Sequence, residues 1–370
     1  MRARQLLSKV AMVVLTAATL TMSAGPIPAH AVGGVAVRLV KGGLNGPAAF
    51  TFSPRGLIFY AERGTGEVRV LNPRTHTDRL VYTISGVNGD GERGALGVAL
   101  HPGWPQRPFI YVYVTRSANG ALHNQILRIR VRNGHGVGVR MLFQTSAVTV
   151  LYHNGGRILF GPGGSLFAMV GDGHTSSNAQ DLTANPRGKI LRMDPDGGVP
   201  AGNPIPGSRV WSYGHRNSFG FTFDPTNGRL WETENGPECN DEINLVGRDG
   251  NYGWGANENC SGTSPGDTNN SGPAPRRGPK WFTAGTIGIT GDAFCHSCGL
   301  GSGYEGDLFF GGVNAGQLRV LQMNASRTGF VGGASVVLTA PNGAILSMET
   351  APNGTIYFSD FTGIYKLVPA

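Results

Sequence analysis

What most restricts the fold of this chain is a recurring two-run pattern: alternating apolar residues, a turn carrying proline and glycine, then a second apolar run. It occurs at 50–60 around Pro54, 98–113 around Pro102, 158–167 around Pro162, 221–231 around Pro225 and 348–358 around Pro352. Each unit reads as a β-hairpin, because period-two alternation on both sides of a Pro/Gly/Asn turn suits two half-buried antiparallel strands. The turn prolines are 48, 60, 63 and 127 residues apart, and the last spacing is about twice the one before it. A sixth unit is therefore expected between Pro225 and Pro352, with 306–310 and 317–321 as its degenerate form. Six units of roughly 55–60 residues predict an all-β fold: a six-bladed β-propeller of four-stranded antiparallel blades, with loops converging at one end of a central channel. A β-sandwich or several small β domains would leave the period unexplained. The run Val35-Ala36-Val37-Arg38-Leu39-Val40 is expected to pair with the last blade and close the ring.

Composition agrees with so many turns. Of 370 residues, 59 are glycine, and only 15% are charged, against an ordinary charge content of about 25%. That excludes a sustained coiled coil, while 40% hydrophobic residues exclude a disordered chain. Arg2, Arg4 and Lys9 precede an apolar run at 10–20, and Ala29-His30-Ala31 offers an A-x-A cleavage site. Residues 1–31 thus read as a signal peptide, leaving 32–370 as a single secreted, extracytoplasmic propeller domain. No later run reaches the roughly 18 apolar residues of a membrane span. The net charge of +8 looks scattered apart from the run at 276–280, so nucleic acid is not an expected partner. In an exported chain the four cysteines read as disulfides, with Cys239–Cys260 and Cys295–Cys298 as the favoured pairing. The competing view of Cys295-His296-Ser297-Cys298 is half a zinc site or a redox pair. Residues 255–280, rich in Gly, Ser, Asn and Pro, are expected to form a long irregular loop.

Polar residues concentrate in three segments. Tyr152-His153-Asn154-Gly155-Gly156-Arg157 precedes the third repeat, and Gly214-His215-Arg216-Asn217 occupies the equivalent entry to the fourth. The third segment, 234–242, follows the fourth repeat's second run. Equivalent positions in a propeller point to the same face, so a histidine, an Arg-Asn pair and a turn rich in carbonyls and carboxylates are expected to share one cavity. Two alternatives stay open: His153 as a turn histidine, and Arg216-Asn217 as strand caps bridging blades. His101, His174 and His215 are expected to be structural, because no carboxylate is spaced to pair with them. Asp194-Pro195-Asp196-Gly197 reads as an acidic turn.

Several stretches then form a recognisable series. Gly91-Glu92-Arg93-Gly94-Ala95-Leu96-Gly97 runs on to His101-Pro102, followed by 153–164 and 181–197. The most specific part is Trp211-Ser212-Tyr213-Gly214-His215-Arg216-Asn217, then Glu234-Asn235-Gly236-Pro237, Asp241-Glu242-Ile243-Asn244-Leu245 and Asn251-Tyr252-Gly253-Trp254. In order and spacing this resembles the soluble quinoprotein aldose dehydrogenases (the glucose/sorbosone dehydrogenase family), over about 45–255 and weakly beyond. That family also forms six-bladed propellers and uses pyrroloquinoline quinone (PQQ) with calcium.

The resemblance implies His153 as general base toward the sugar's C1 hydroxyl. It implies Arg216 and Asn217 as the pair that holds the cofactor, with Arg216 also polarising the reacting quinone oxygen. Glu92 stands where the family has a glutamine near the cofactor. The backbone carbonyls of Gly236 and Pro237 would ligate calcium, a hard cation suited to oxygen donors. Asp241 and Glu242 resemble an acidic pair that stabilises the blade or, at Glu242, binds a structural calcium. The chain departs from the family at Asn314, where a lysine is expected, at Ala344 and Leu346, where two arginines are expected, and at Tyr152, which replaces an acid beside the histidine. PQQ carries three carboxylates, and each lost charged hydrogen bond costs roughly 1.5–3 kcal/mol.

The expected function is therefore an exported, PQQ- and calcium-dependent dehydrogenase that oxidises aldoses at C1 to lactones and passes electrons to an external acceptor. The alternative is a non-catalytic propeller that binds carbohydrate or another surface ligand after losing the quinone. A calcium-dependent lactonase is disfavoured, since no side-chain cage of Asp, Asn and Glu is evident.

Overall fold

A computed structural model describes residues 34–183, 185–255, 260 and 273–370. The expected leader, 1–31, and most of the expected loop at 255–280 lie outside the described residues. Among the described residues, twenty-four strands form six four-stranded antiparallel sheets arranged as a propeller. After β1 (Val35–Gly42), blade 1 comprises β2 (Pro47–Phe52), β3 (Ile58–Glu62), β4 (Glu67–Leu71) and β5 (Asp78–Thr83). Blade 2 has the longest strands: β6 (Ala95–Leu100), β7 (Phe109–Ala118), β8 (Ala121–Arg132) and β9 (His135–Gln144). Blade 3 is β10 (Ile158–Phe160), β11 (Leu166–Val170), β12 (Lys189–Met193) and β13 (Val210–Tyr213). Blade 4 is β14 (Gly220–Phe223), β15 (Leu230–Glu234), β16 (Glu242–Val246) and β17 (Trp281–Phe282). Blade 5 is β18 (Ile289–Phe294), β19 (Leu308–Gly312), β20 (Gln317–Leu321) and β21 (Ser335–Thr339). Blade 6 is β22 (Ser347–Thr350), β23 (Ile356–Ser359) and β24 (Gly363–Pro369), completed by β1 from the other end of the described chain.

The turn prolines mark the first hairpin of five blades, as the repeat required. The fifth unit needs a correction of phase. The runs at 308–310 and 317–321 are the second and third strands of blade 5, not its first hairpin. That hairpin pairs β18 with β19, and its turn region contains the Cys295–Cys298 disulfide where the other blades have a proline turn. Cys239 pairs with Cys260, so both favoured pairings are present.

Alternation along each strand buries one face against each neighbouring blade, and the core is accordingly divided into wedges. Leu127 and Ile129 pack with Val68 and Val81 between blades 1 and 2. Phe167 and Met169 meet Phe221 and Leu230 between blades 3 and 4, and Trp231 and Ile243 meet Leu308 and Phe310 between blades 4 and 5. Phe50 and Tyr60 pack with Tyr357 and Ile364, sealing blade 6 against blade 1. A fully buried aromatic or aliphatic side chain contributes roughly 1.5–3 kcal/mol, so each wedge holds its pair of blades together. Among the described residues no helix is long and apolar enough to cross a membrane.

Every first strand starts, and every second strand ends, at the same rim of the ring. The loops before β6, β10, β14, β18 and β22 therefore converge there, and the proline turns lie at the opposite rim. Arg157 plugs the channel just inside the loop rim. Its Nε donates to the carbonyl of Phe219 at 2.7 Å, Nη1 to Ser347 Oγ at 2.8 Å and Nη2 to the carbonyl of Thr290 at 3.3 Å. One guanidinium thus ties blade 3 to blades 4, 5 and 6.

Candidate active site

His153 lies in the loop that enters β10, in the left-handed region at φ +58°. Two close approaches hold it there. A Cβ on Gly156 would lie 2.3 Å from Leu96, and one on Gly171 would lie 2.3 Å from the His153 carbonyl oxygen, so only glycine fits at either place. The His153 N–H donates to Glu92 Oε2 at 2.7 Å, and its ring Nδ1 lies 2.6 Å from Asp172 Oδ1. Asp172 is buried at the end of blade 3's second strand. It also accepts the His174 N–H on Oδ1 at 2.8 Å and the Trp254 indole N–H on Oδ2 at 2.7 Å. An acceptor-only carboxylate surrounded by donors orients the imidazole with Nδ1–H toward itself and leaves Nε2 with a lone pair.

The two loops expected to share a face do meet. Asn217 Oδ1 accepts the Gly155 N–H at 3.2 Å, and its Nδ2 donates to Glu92 Oε2 at 3.0 Å. Glu92 and Asn217 thereby fasten the His153 loop between blades 2 and 4. Arg216 donates its backbone N–H to Glu234 Oε1 and Nη1–H to the Asn235 carbonyl at 2.9 Å, and its guanidinium stands 5.3 Å from the Trp254 ring centroid. Its Nε is buried with no hydrogen-bond partner. Burial pushes the Arg216 pKa down, while Asp172, Glu234, Glu92 and Asp241 oppose the shift.

His215 corrects an expectation, because it is paired with two carboxylates. Its Nδ1 lies 3.1 Å from both Glu232 and Glu234, Nε2 lies 2.8 Å from Ser212 Oγ, and the ring stacks on Tyr252 at 4.7 Å. Burial alone would lower its pKa, but Glu232 and then Glu234 outweigh burial and push it up to about 10. His101 is buried and accepts the Gly103 N–H on Nδ1 at 2.9 Å. His174 stands edge-on to His153 at 4.8 Å between ring centroids, with half-exposed Tyr152 beyond it at 6.5 Å.

At 234–242 the chain folds back on itself so tightly that a Cβ on Gly236 would lie 1.8 Å from the Cys239 carbonyl oxygen. Asp241 fastens this turn: Oδ1 accepts the Gly236 N–H at 2.9 Å, and Oδ2 accepts the N–H groups of Ile287 and Gly288 at 2.7 Å each. Burial raises the Asp241 pKa against those bonds. No hydrogen bond reaches the carbonyls of Gly236 or Pro237 among the described residues, which leaves hard oxygen donors of the kind calcium takes. Glu242 is buried on β16.

Three of the four departures lie in the loops of blades 5 and 6. Asn314 donates its N–H to the Ile287 carbonyl at 3.1 Å, Ala344 is buried, and the Leu346 N–H reaches the Ser359 carbonyl at 2.8 Å. Arginines near the site are occupied by carbonyls: Arg63 by those of Gly89, Gly91 and Arg93, and Arg187 by Ser146 and Ala147. Of these arginines, Arg216 is the one with a buried, unpartnered N–H, and it suits an anionic or carbonyl oxygen. A cavity of about 760 Å³ lies elsewhere, between the outer strands of blades 2 and 3 beside Met141, Leu182 and Arg209.

Sequence reasoning missed Asp172 and Trp254. Gly171-Asp172-Gly173 reads as a turn, and Asp172 lies two residues beyond blade 3's second strand whereas Glu234 is the last residue of blade 4's, so the repeat did not mark it.

Residues 44–363 match the family model described as Glucose / Sorbosone dehydrogenase. The chain is 31% identical over 248 residues to quinoprotein glucose dehydrogenase B of Acinetobacter calcoaceticus, covering 59% of this chain and 52% of that protein. It thus spans about half the length of that relative. It is 26% identical over 342 residues to the aldose sugar dehydrogenase YliI of Escherichia coli, covering 87% and 89% of the two. A solved structure described as an oxidoreductase (glucose dehydrogenase) from Thermus thermophilus is similar with a TM-score of 0.79 at 30% identity, covering 90% of this chain and 100% of that one.

Proposed function

The chain belongs to the glucose/sorbosone dehydrogenase family, and from that premise we propose that it is an exported dehydrogenase that oxidises aldose sugars at C1 to lactones, with PQQ and calcium as cofactors. The observation that carries this proposal is the His153–Asp172 pair, a buried 2.6 Å contact at the loop rim of the channel. With Nδ1–H directed at Asp172, His153 Nε2 accepts the proton of the sugar's C1 hydroxyl. Asp172 then stabilises the resulting imidazolium, and the donors from Trp254 and His174 keep its carboxylate oriented. When bound, the quinone would accept the hydride from C1 and calcium would act as a Lewis acid. Arg216, through its free Nε–H, and the carbonyls of Gly236 and Pro237 are the groups that would hold them. Glu92 and Asn217 act on the same site by fixing the His153 loop. Glu242 is assigned to the support of the calcium turn. The leader at 1–31 would direct export, and an external acceptor would reoxidise the cofactor.

A second reading, a carbohydrate-binding propeller without redox chemistry, is favoured by the uncharged Asn314, Ala344 and Leu346. One titration separates the two. PQQ is added to calcium-loaded apoprotein, absorbance is followed, and a sugar panel is then assayed with a redox dye. A quinone absorbance shift with turnover supports the dehydrogenase; no shift and no turnover on any sugar rejects it.

A further inference from the structure

Blade 2 carries a strongly cationic face that the site does not use. Along β8 the residues Arg128-Ile129-Arg130-Val131-Arg132 alternate, so strand periodicity sends the three guanidiniums to one side. Residues two apart on a strand are about 6.6 Å apart. The outer strand β9 adds to the row: Arg140 stands directly opposite Arg128, and His135 opposite Arg132. Arg130, Arg132, His135 and Arg140 are exposed. Like charges directly opposite one another on a sheet are unfavourable, so the fold bears a repulsion here that it does not need for packing. Asp196 is the acid on this face and forms an ion pair with Arg128, whose guanidinium also lies 4.5 Å from the Phe109 ring centroid. No salt bridge reaches Arg130, Arg132 or Arg140 among the described residues. This corrects the expectation of scattered charge: the run at 128–132 becomes a ladder once β9 is laid beside it.

We propose that this ladder on blade 2 is a binding site for an acidic polysaccharide, one bearing carboxylate or sulfate groups along an extended chain. Regularly spaced guanidiniums on an open sheet suit repeated anionic groups, which guanidinium hydrogen-bonds in bidentate fashion. Two features of the face favour a glycan over other polyanions. Phe109 lies under Arg128 and Tyr111 is buried, which leaves the row the small imidazole of His135 rather than a platform of rings on which successive bases stack. The exposed apolar side chains Val139 and Met141 lie opposite Ile129 and Leu127, on the other side of the sheet, so those two do not give the cationic face an apolar anchor for lipid.

The test measures binding of the whole protein to dextran sulfate, polygalacturonate and neutral dextran by calorimetry at two salt concentrations. Single-stranded DNA and phosphatidylserine vesicles serve as competing classes. Wild type should bind both acidic polymers, leave neutral dextran unbound, and weaken steeply with salt. The R130Q/R132Q/R140Q variant should bind at least about tenfold more weakly, as expected when several released counterions are lost. The R130K/R132K/R140K variant, which keeps the charge but loses the bidentate fork, should bind with an affinity between those of wild type and the Gln variant. A control, R38Q/R55Q/R74Q, removes the same charge elsewhere and should change binding less than about twofold. Equal losses in the two Gln variants, no binding of either acidic polymer, or tighter binding of DNA or vesicles would overturn the proposal. Unfolding temperatures of the variants report on folding, and quinone titration reports separately on the dehydrogenase.

Discussion

His153 and Asp172 flank the first hairpin of blade 3, one just before its innermost strand and the other just after its second, and the ring nitrogen Nδ1 meets Oδ1 at 2.6 Å. The hairpin itself brings them together, because antiparallel strands return the chain to the rim it left. Asp172→Asn preserves shape but removes the charge that stabilises an imidazolium and fixes its tautomer. With PQQ and calcium supplied, kcat for sugar oxidation should fall roughly a hundredfold or more, with KM little changed. Steady-state dye reduction measures this, and an unaltered kcat would remove Asp172 from the mechanism.

The His215 imidazole, held by Glu232 and Glu234, makes stability depend on alkaline pH. Its folded pKa of about 10 lies above the ordinary 6.5. The contribution is therefore fully present below 6.5 and is lost as pH rises through about 10. Thermal unfolding of wild type should fall more steeply between neutral pH and that region than unfolding of His215→Gln. Parallel curves for the two proteins would show that the imidazolium adds nothing.

Calcium at the Gly236–Pro237 turn should stabilise the fold. At a hundred times its Kd, a ligand specific for the folded state adds about 2.7 kcal/mol. Scanning calorimetry of chelator-treated protein should show an unfolding temperature that rises with added calcium and is unmoved by magnesium at the same concentration. A temperature indifferent to calcium would leave the turn without a metal.

Trp231 is fully buried between blades 4 and 5, 5.0 Å from the Phe330 ring centroid, with its indole N–H unpartnered. Trp231→Ala should destabilise by about 3–5 kcal/mol. Trp231→Phe, which also removes the unsatisfied N–H, should cost less than about 1.5 kcal/mol. Urea denaturation of both variants checks the contrast, and equal costs would mean that the wedge does not depend on ring volume.

The blades were legible because each repeat is a hairpin with its own turn proline. The phase of blade 5 was not, since its disulfide-bearing turn erases the proline that marks the others. His153, Arg216 and Asn217 were legible as polar residues at equivalent strand entries. Their partners were harder to see: Glu232 and Glu234 meet His215 across blade 4's first hairpin, as Asp172 meets His153 across blade 3's, but which residues face each other at the rim depends on strand bounds that the sequence leaves open. Trp254 reaches Asp172 across 82 residues. The arginine ladder was half visible, as alternation on one strand, but its fourth member needed the register of β8 against β9.

Blade 6 takes its outermost strand from β1, and that strand's partner is β24. The seam of the ring is thus sewn by the first and last strands described. Blades 1 to 5 are each built from contiguous chain, but the ring cannot close while the chain is still emerging, so the nascent protein waits as an open arc until β24 is free. Closure is the step with the greatest loop entropy to overcome. An insertion that loosens the Val35–Gly42 strand would then be felt first as slow or failed maturation, in a protein whose rim loops are all intact.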